Sequence, residues 1–140
     1  MSKPPFEILE HTADIGLKVY GRTLPELFVH SALGLVAIAV EGQNVTASER
    51  LSLSARGADL EELLVNWLSE VLYFMDAEGW VFSDFRVLDW KADAIGAEGW
   101  GQRLSPVQRS RAVAVKAITY HQISVRETAE GWEAVVYFDI

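Results

Sequence analysis

Cysteine is absent from the 140 residues, which removes disulfides, thiolate zinc sites and cysteine nucleophiles together. Proline is scarce at four residues, and no Ser/Gly-rich or Gln-rich tract occurs. With half of the residues hydrophobic and 23% charged, the composition is that of an ordered globule rather than a disordered chain. Basic residues are few: 12 Lys and Arg stand against 20 Asp and Glu, a formal net charge of −8. A surface that tracks nucleic-acid phosphates needs many cationic contacts, so stable direct binding of nucleic acid is not expected. An acidic chain is better suited to meet a basic protein partner. Long apolar runs are missing too, and the opening MSKPPFEILEH has no apolar signal-like stretch, so a cytoplasmic protein without membrane attachment is expected. Histidine numbers only three, His11, His30 and His121, and a four-ligand zinc site would need all of them plus a carboxylate. The length suits one domain over residues 1–140.

What is present reads as alternating strand and helix. In IGLKVYG, Ile15, Leu17 and Val19 alternate with Gly16, Lys18 and Tyr20, the two-residue period of a half-buried strand. A helix follows, announced by Thr23 and Glu26 at capping-box spacing with Pro25 in the first turn, and expected to end near Gly42. Residues 45–55 return to strand period. Asp59 and Glu62 then repeat the capping spacing ahead of a second amphipathic helix that Gly79 is placed to end. Thirty-six positions separate Leu24/Leu60, Glu26/Glu62, Leu27/Leu63 and Val29/Val65. A duplicated strand–helix unit would leave that match, and so would two independently capped amphipathic helices. The stretch from Asp93 to Arg111, with Gly96, Gly99, Gly101 and Pro106, shows no period and reads as one long exposed loop. Two antiparallel strands, within RAVAVKAITYHQISVRET and WEAVVYFDI, finish the chain. The fold class expected is α+β: a mixed, largely antiparallel sheet with two amphipathic helices packed on one face.

Two aspartates stand out against apolar surroundings. In VVYFDI, Asp139 points away from Phe138 and is followed by Ile140, which carries the free α-carboxylate. Asp14, in HTADIG, sits at a break between extended segments, where a turn can aim it at the end of a neighbouring strand. Carboxylates brought together repel unless a cation or proton intervenes, and a hard divalent ion takes six or more oxygens. The bland alternative is an Asx-type turn residue at Asp14 and a solvated Asp139. Lys116 places a charge within AVAVKAITY, on one face with Ala112, Ala114, Ile118 and Tyr120, where it either snorkels to water or meets an anion. No Gly-rich phosphate loop, H-E-x-x-H or G-x-S-x-G motif occurs, so catalytic turnover of the chain's own is not expected.

Four blocks in order, FEILEHTADIGLKVYGRTLPELFVHSALGL, DLEELLVNWLSEVLYFMDAEGWVFSDF, VKAITYHQISV and GWEAVVYFDI, together resemble the archease family over nearly the whole chain outside residues 93–111. The resemblance implies an accessory protein, not a ligase, that serves an RtcB-type RNA ligase in tRNA splicing and RNA repair. It would promote GTP-dependent guanylylation of the ligase and its repeated turnover. By the same resemblance Asp14, Asp139 and Ile140 match the family's divalent-cation site, for Ca²⁺ or Mg²⁺, and Lys116 matches a functionally important lysine. Two other classes stay open: a metal-dependent phosphohydrolase using the same carboxylates, and a chaperone-like binding module in which the aspartates only fix the fold.

Overall fold

The computed structural model describes residues 3–10, 14–40, 46–104 and 114–140. Along the chain run β1 (Phe6–Glu10), β2 (Asp14–Gly21), α1 (Leu24–Ala39), β3 (Glu49–Arg56), α2 (Leu60–Glu78), β4 (Trp80–Lys91), β5 (Ala94–Arg103), β6 (Ala117–Thr128) and β7 (Gly131–Asp139). The seven strands divide between two sheets, ordered β1-β2-β7-β6 and β3-β5-β4, and every pairing is antiparallel. The fold is α+β, as the pattern of elements predicts.

Both helices begin where the capping spacing places them. The Thr23 hydroxyl accepts the Glu26 N–H at 3.2 Å and the Asp59 carboxylate accepts the Glu62 N–H at 2.8 Å, satisfying donors that a first helical turn leaves unpaired. α2 ends at Gly79, whose φ of 73° is the left-handed conformation that glycine adopts without Cβ strain. α1 stops at Ala39, three residues short of Gly42, which lies outside the described residues.

The 36-residue spacing extends well beyond the helix faces. The Glu26 and Glu62 side chains accept the main-chain N–H of the residue before each cap, Arg22 at 3.1 Å and Ala58 at 2.8 Å. Gly21 and Gly57 precede the caps by two residues, and a Cβ on either would overlap the backbone at Leu27 or Leu63. On the second helical turn, His30 and Asn66 reach back to the carbonyls of Tyr20 and Arg56 at 2.6 and 2.7 Å. Topology repeats as well. In β3-α2-β4-β5 the strand before the helix pairs with the second strand of the hairpin that follows, and β2-α1-β6-β7 does the same, with β1 added at its edge. The second unit interrupts the first between α1 and β6. α1 lies against β2 and β4, and α2 against β3 and β6, so each helix covers its own strand and the first hairpin strand of the other unit.

Residues 94–103 correct the long-loop expectation, for they form β5, the middle strand of the three-stranded sheet. Their inward positions, Ile95, Ala97, Gly99 and Gly101, are buried alternately. The two-residue period is present but written in small residues. Phe82 requires this: a Cβ on Gly99 would stand 2.6 Å from the Phe82 ring. Residues 105–111, the rest of the supposed loop apart from Asp93 and Leu104, lie outside the described residues.

One cluster of buried side chains joins both sheets and both helices, with Phe28, Trp67, Phe82 and Phe138 its largest fully buried members. Burying each such side chain contributes roughly 2–3 kcal/mol. The Trp67 indole N–H donates to the Phe28 carbonyl at 2.9 Å, so this large ring enters the core without leaving its polar atom unpaired.

A carboxylate pair at the end of the four-stranded sheet

β2 begins with Asp14 and β7 ends with Asp139, and the antiparallel register sets these two residues directly opposite one another. Opposed residues of an antiparallel pair share a face, with Cβ atoms about 4.5–5.5 Å apart. The next pair inward, Ile15 and Phe138, turns toward the helices, and Phe138 is fully buried. Both aspartates therefore stand on the opposite, solvent-facing side. Like charges in this position repel, and among the described residues no cationic side chain lies within ion-pair distance of either. Ile140 follows immediately and is 40% exposed.

Lys116 reaches the same place through its backbone. Its main-chain N–H donates to the Asp139 carbonyl at 2.8 Å, and Ala117 pairs with Asp139 across β6 and β7. Ala117 thus shares the face of the aspartates, while Lys116 and the buried Ile118 turn toward α2. The lysine side chain lines a cleft of about 450 Å³ with Tyr73 and Asp76 of α2, where burial pushes the Asp76 carboxyl above its ordinary value. Asp14, Asp139 and Ile140 come together, and Lys116 adjoins them from the other side of the strand. Among the described residues no three His, Asp or Glu side chains gather as a metal site. His11, Thr12 and Ala13 lie outside the described residues.

Two neighbours of the pair escape a reading of sequence alone. A Cβ on Gly16 would stand 2.7 Å from the Tyr137 ring, so Tyr137 lies across Gly16, one step along the face from the aspartates. A glycine in mid-strand is the available signal for such a close approach. Beside Tyr137 the register of β6 breaks: Thr119 pairs with Tyr137 and Ser124 with Val135, so residues 120–123 stand opposite the single Val136. Within this bulge Gln122 has a φ of 54°, Tyr120 is 55% exposed, and the His121 ring sits 6.2 Å from that of Tyr137. Bulges of this kind re-aim side chains and blunt an edge strand, and β6 is an edge.

Further along the face the charges are compensated. Glu133 Oε1 lies 3.2 Å from Lys18 Nζ and 3.4 Å from the Arg126 guanidinium. Burial works to raise the Glu133 carboxyl, but hydrogen bonds and charge from Lys18 and Arg126 outweigh it and hold the group below its usual value. The Lys18 ammonium is raised in turn, first by its hydrogen bond to Glu133.

Two interlocked strand–helix–hairpin units, with an acidic pair where the beginning of one meets the last strand, define a small two-sheet α+β protein. The sequence model of the Archease protein family (MTH1598/TM1083) matches residues 6–140, and the chain belongs to that family. It is 37% identical over 139 residues to a protein named "Protein archease" from Methanosarcina acetivorans, covering 96% of this chain and 95% of that one. A "Protein archease" from Pyrococcus abyssi is 38% identical over 139 residues, covering 96% and 98%. The solution structure of Methanobacterium thermoautotrophicum protein 1598 superimposes with a TM-score of 0.83 at 30% identity, covering 97% of this chain and 99% of that one. No helix among the described residues is long and apolar enough to cross a membrane.

Proposed function

We propose that this chain is an accessory factor that activates an RtcB-type RNA ligase in tRNA splicing and RNA repair, promoting guanylylation of the ligase by GTP and its repeated turnover. The observation that carries the reading is the register of Asp14 against Asp139. Two carboxylates face each other on exposed sheet, beside the exposed Ile140, whose α-carboxylate this reading takes as a third anion. That donor set, oxygen only, anionic and partly open to water, fits a hard divalent cation such as Ca²⁺ or Mg²⁺. In this reading the Asp14, Asp139 and Ile140 carboxylates hold the ion. Its chemistry there is charge neutralisation of phosphate oxygens during guanylyl transfer.

The chain's own residues position and present this site. The Lys116 N–H and the pairing with β2 fix the Asp139 backbone from both sides, so its carboxylate is held by two neighbouring strands rather than by a free tail. Lys116 adds a positive side chain next to the acids, on the side facing α2. The reacting groups belong to the ligase, and the accessory chain supplies an oriented charge to them.

Guanylylation of a cognate ligase with GTP and Mg²⁺, with and without this protein, tests the reading. Asp14→Ala and Asp139→Ala are expected to lower the stimulation by about 10–100-fold, the usual cost of disturbing a metal shell. Lys116→Ala is expected to lower it less, by about tenfold, as the loss of one charged contact would. Full stimulation by all three folded variants overturns the site assignment. Calcium titration of tagged chains is a second check. A tag after Ile140 removes the free carboxylate and is expected to weaken binding, whereas a tag before Met1 leaves it unchanged; equal affinities contradict the role of the terminal carboxylate.

A further inference from the structure

The opposite end of the four-stranded sheet holds a different set of groups. Gly21 pairs with Trp132 seven residues along β2 from Asp14, about 23 Å away at a strand rise near 3.3 Å. There the N-terminal segment, the β2–α1 junction, α1 and the β6–β7 hairpin enclose a cleft of about 480 Å³, lined by Lys3, Arg22, His30, Thr128 and Trp132 among others.

The internal repeat shows which part of this cleft the fold itself requires. His30 and Asn66 occupy equivalent positions, and each reaches the carbonyl of the strand that precedes its helix. A carbonyl only accepts, so the His30 bond is made by Nδ1–H, as the Asn66 bond is made by Nδ2–H. One donor is all that the scaffold uses. The imidazole brings a second ring nitrogen, Nε2, that the scaffold does not need, in a residue that lines the cleft.

The surrounding groups are mainly donors. Among the described residues the Arg22 guanidinium has no ion pair and the Trp132 indole N–H no hydrogen-bond partner. Thr128 Oγ1 accepts the Glu130 N–H at 3.3 Å, leaving its own O–H to donate. Lys3 contributes an ammonium. Glu26 and Glu130 also line the cleft, but each already faces a donor: Glu26 Oε1 takes the Arg22 main-chain N–H at 3.1 Å, and Glu130 lies 3.9 Å from the Lys3 ammonium. With Lys3 set against Glu130, the Arg22 guanidinium, the Trp132 N–H and the Thr128 O–H remain as donors, which suits an anion with several oxygens. His30 Nε2 selects one that also shares a proton, since a neutral imidazole accepts from a P–OH and a protonated one donates to the dianion. The cleft is far larger than a phosphate group and has the half-buried Trp132 ring in its wall, which suits a flat organic body.

We propose that this cleft, distinct from the carboxylate pair, binds a small phosphate monoester with a flat organic body, its phosphate held by Arg22, Lys3 and His30 Nε2 and its body against Trp132. The test is NMR titration of the ¹⁵N-labelled full chain with phenyl phosphate, inorganic phosphate and dimethyl phosphate. Saturable shifts at the Trp132 indole and the His30 ring are expected with phenyl phosphate, weaker ones with inorganic phosphate, and none with dimethyl phosphate, a monoanion with no second P–OH to share. His30→Asn keeps a donor for the Tyr20 carbonyl, as the second unit does natively, and removes Nε2. It is expected to leave the thermal midpoint unchanged while weakening phenyl phosphate about tenfold, the worth of one hydrogen bond to a charged group. Arg22→Gln removes the guanidinium from an exposed position and is expected to weaken binding at least as much, giving a second reading should His30→Asn lower the midpoint. No saturable shift at Trp132 with any probe, equal binding of dimethyl phosphate, or unchanged affinity in Arg22→Gln overturns the proposal.

Discussion

The two strand–helix–hairpin units share caps, glycines and connection order, and they differ in what they expose. At the start of β2 the first unit sets Asp14 against Asp139, two like charges on neighbouring strands. Thirty-six positions later the second unit sets Arg50 against Trp100, the guanidinium 5.8 Å from the ring centre and 3.8 Å from Glu98. The second arrangement pairs its charge; the first sets two carboxylates together with no cationic side chain within ion-pair distance among the described residues. His30 against Asn66 shows the same division, one unit meeting the strand carbonyl with a short amide and the other with a ring whose residue also lines a cleft. Where a repeated frame holds geometry constant, the residues that depart from equivalence mark the positions freed from structural duty.

The largest effects should fall on what the units share. Gly21→Ala and Gly57→Ala both drive a Cβ into helix backbone, and each is expected to lower unfolding free energy by about 2–3 kcal/mol in urea melts. If only one of them is destabilising, the equivalence of the two junctions is broken. Next comes the buried carboxylate peculiar to the first unit. Glu133→Gln is expected to cost about 1–2 kcal/mol at neutral pH, because Lys18 and Arg126 lose their shared partner. Since the folded state holds this carboxyl below its usual value, the contribution is present above the ordinary glutamate range and fades as pH falls through the depressed value. Melts of both proteins from pH 7 down to pH 3 should converge; a constant gap assigns the effect to packing. The smallest effect has the opposite sign. Without divalent cations Asp14→Asn relieves like-charge repulsion and is expected to raise stability by about 0.5 kcal/mol, a gain that added Ca²⁺ should reverse by favouring the unsubstituted chain. A loss of stability in chelator would make the aspartate a fold-fixing residue instead.

Much of this was legible in sequence. The capping spacings located both helix starts, because a cap is a local hydrogen bond between residues three apart. Alternation in WEAVVYFDI placed Asp139 opposite Phe138, whereas Asp14 read as a residue of the break before IGLKVYG, and the structure makes it the first residue of β2. Alternation left open that these two strands are partners and that the register aligns the two acids, since pairing is decided by tertiary packing rather than by either strand alone. β5 was missed because glycine serves there as a small inward side chain for Phe82, not as a breaker. The second nitrogen of His30 was illegible for a related reason: only the position of Asn66 in space shows that the histidine does more than the frame asks.

β7 follows every other strand of the described residues in sequence and yet is an interior one, lying between β2 and β6. During synthesis the edge of β2 must therefore wait, unpaired, until residues 131–139 have left the ribosome. A chain that stops early lacks both the strand that closes this sheet and the second aspartate. Assembly of the acidic site thus waits on synthesis through Asp139, and a product terminated before β7 would present an open sheet edge to the proteases and chaperones that survey such surfaces.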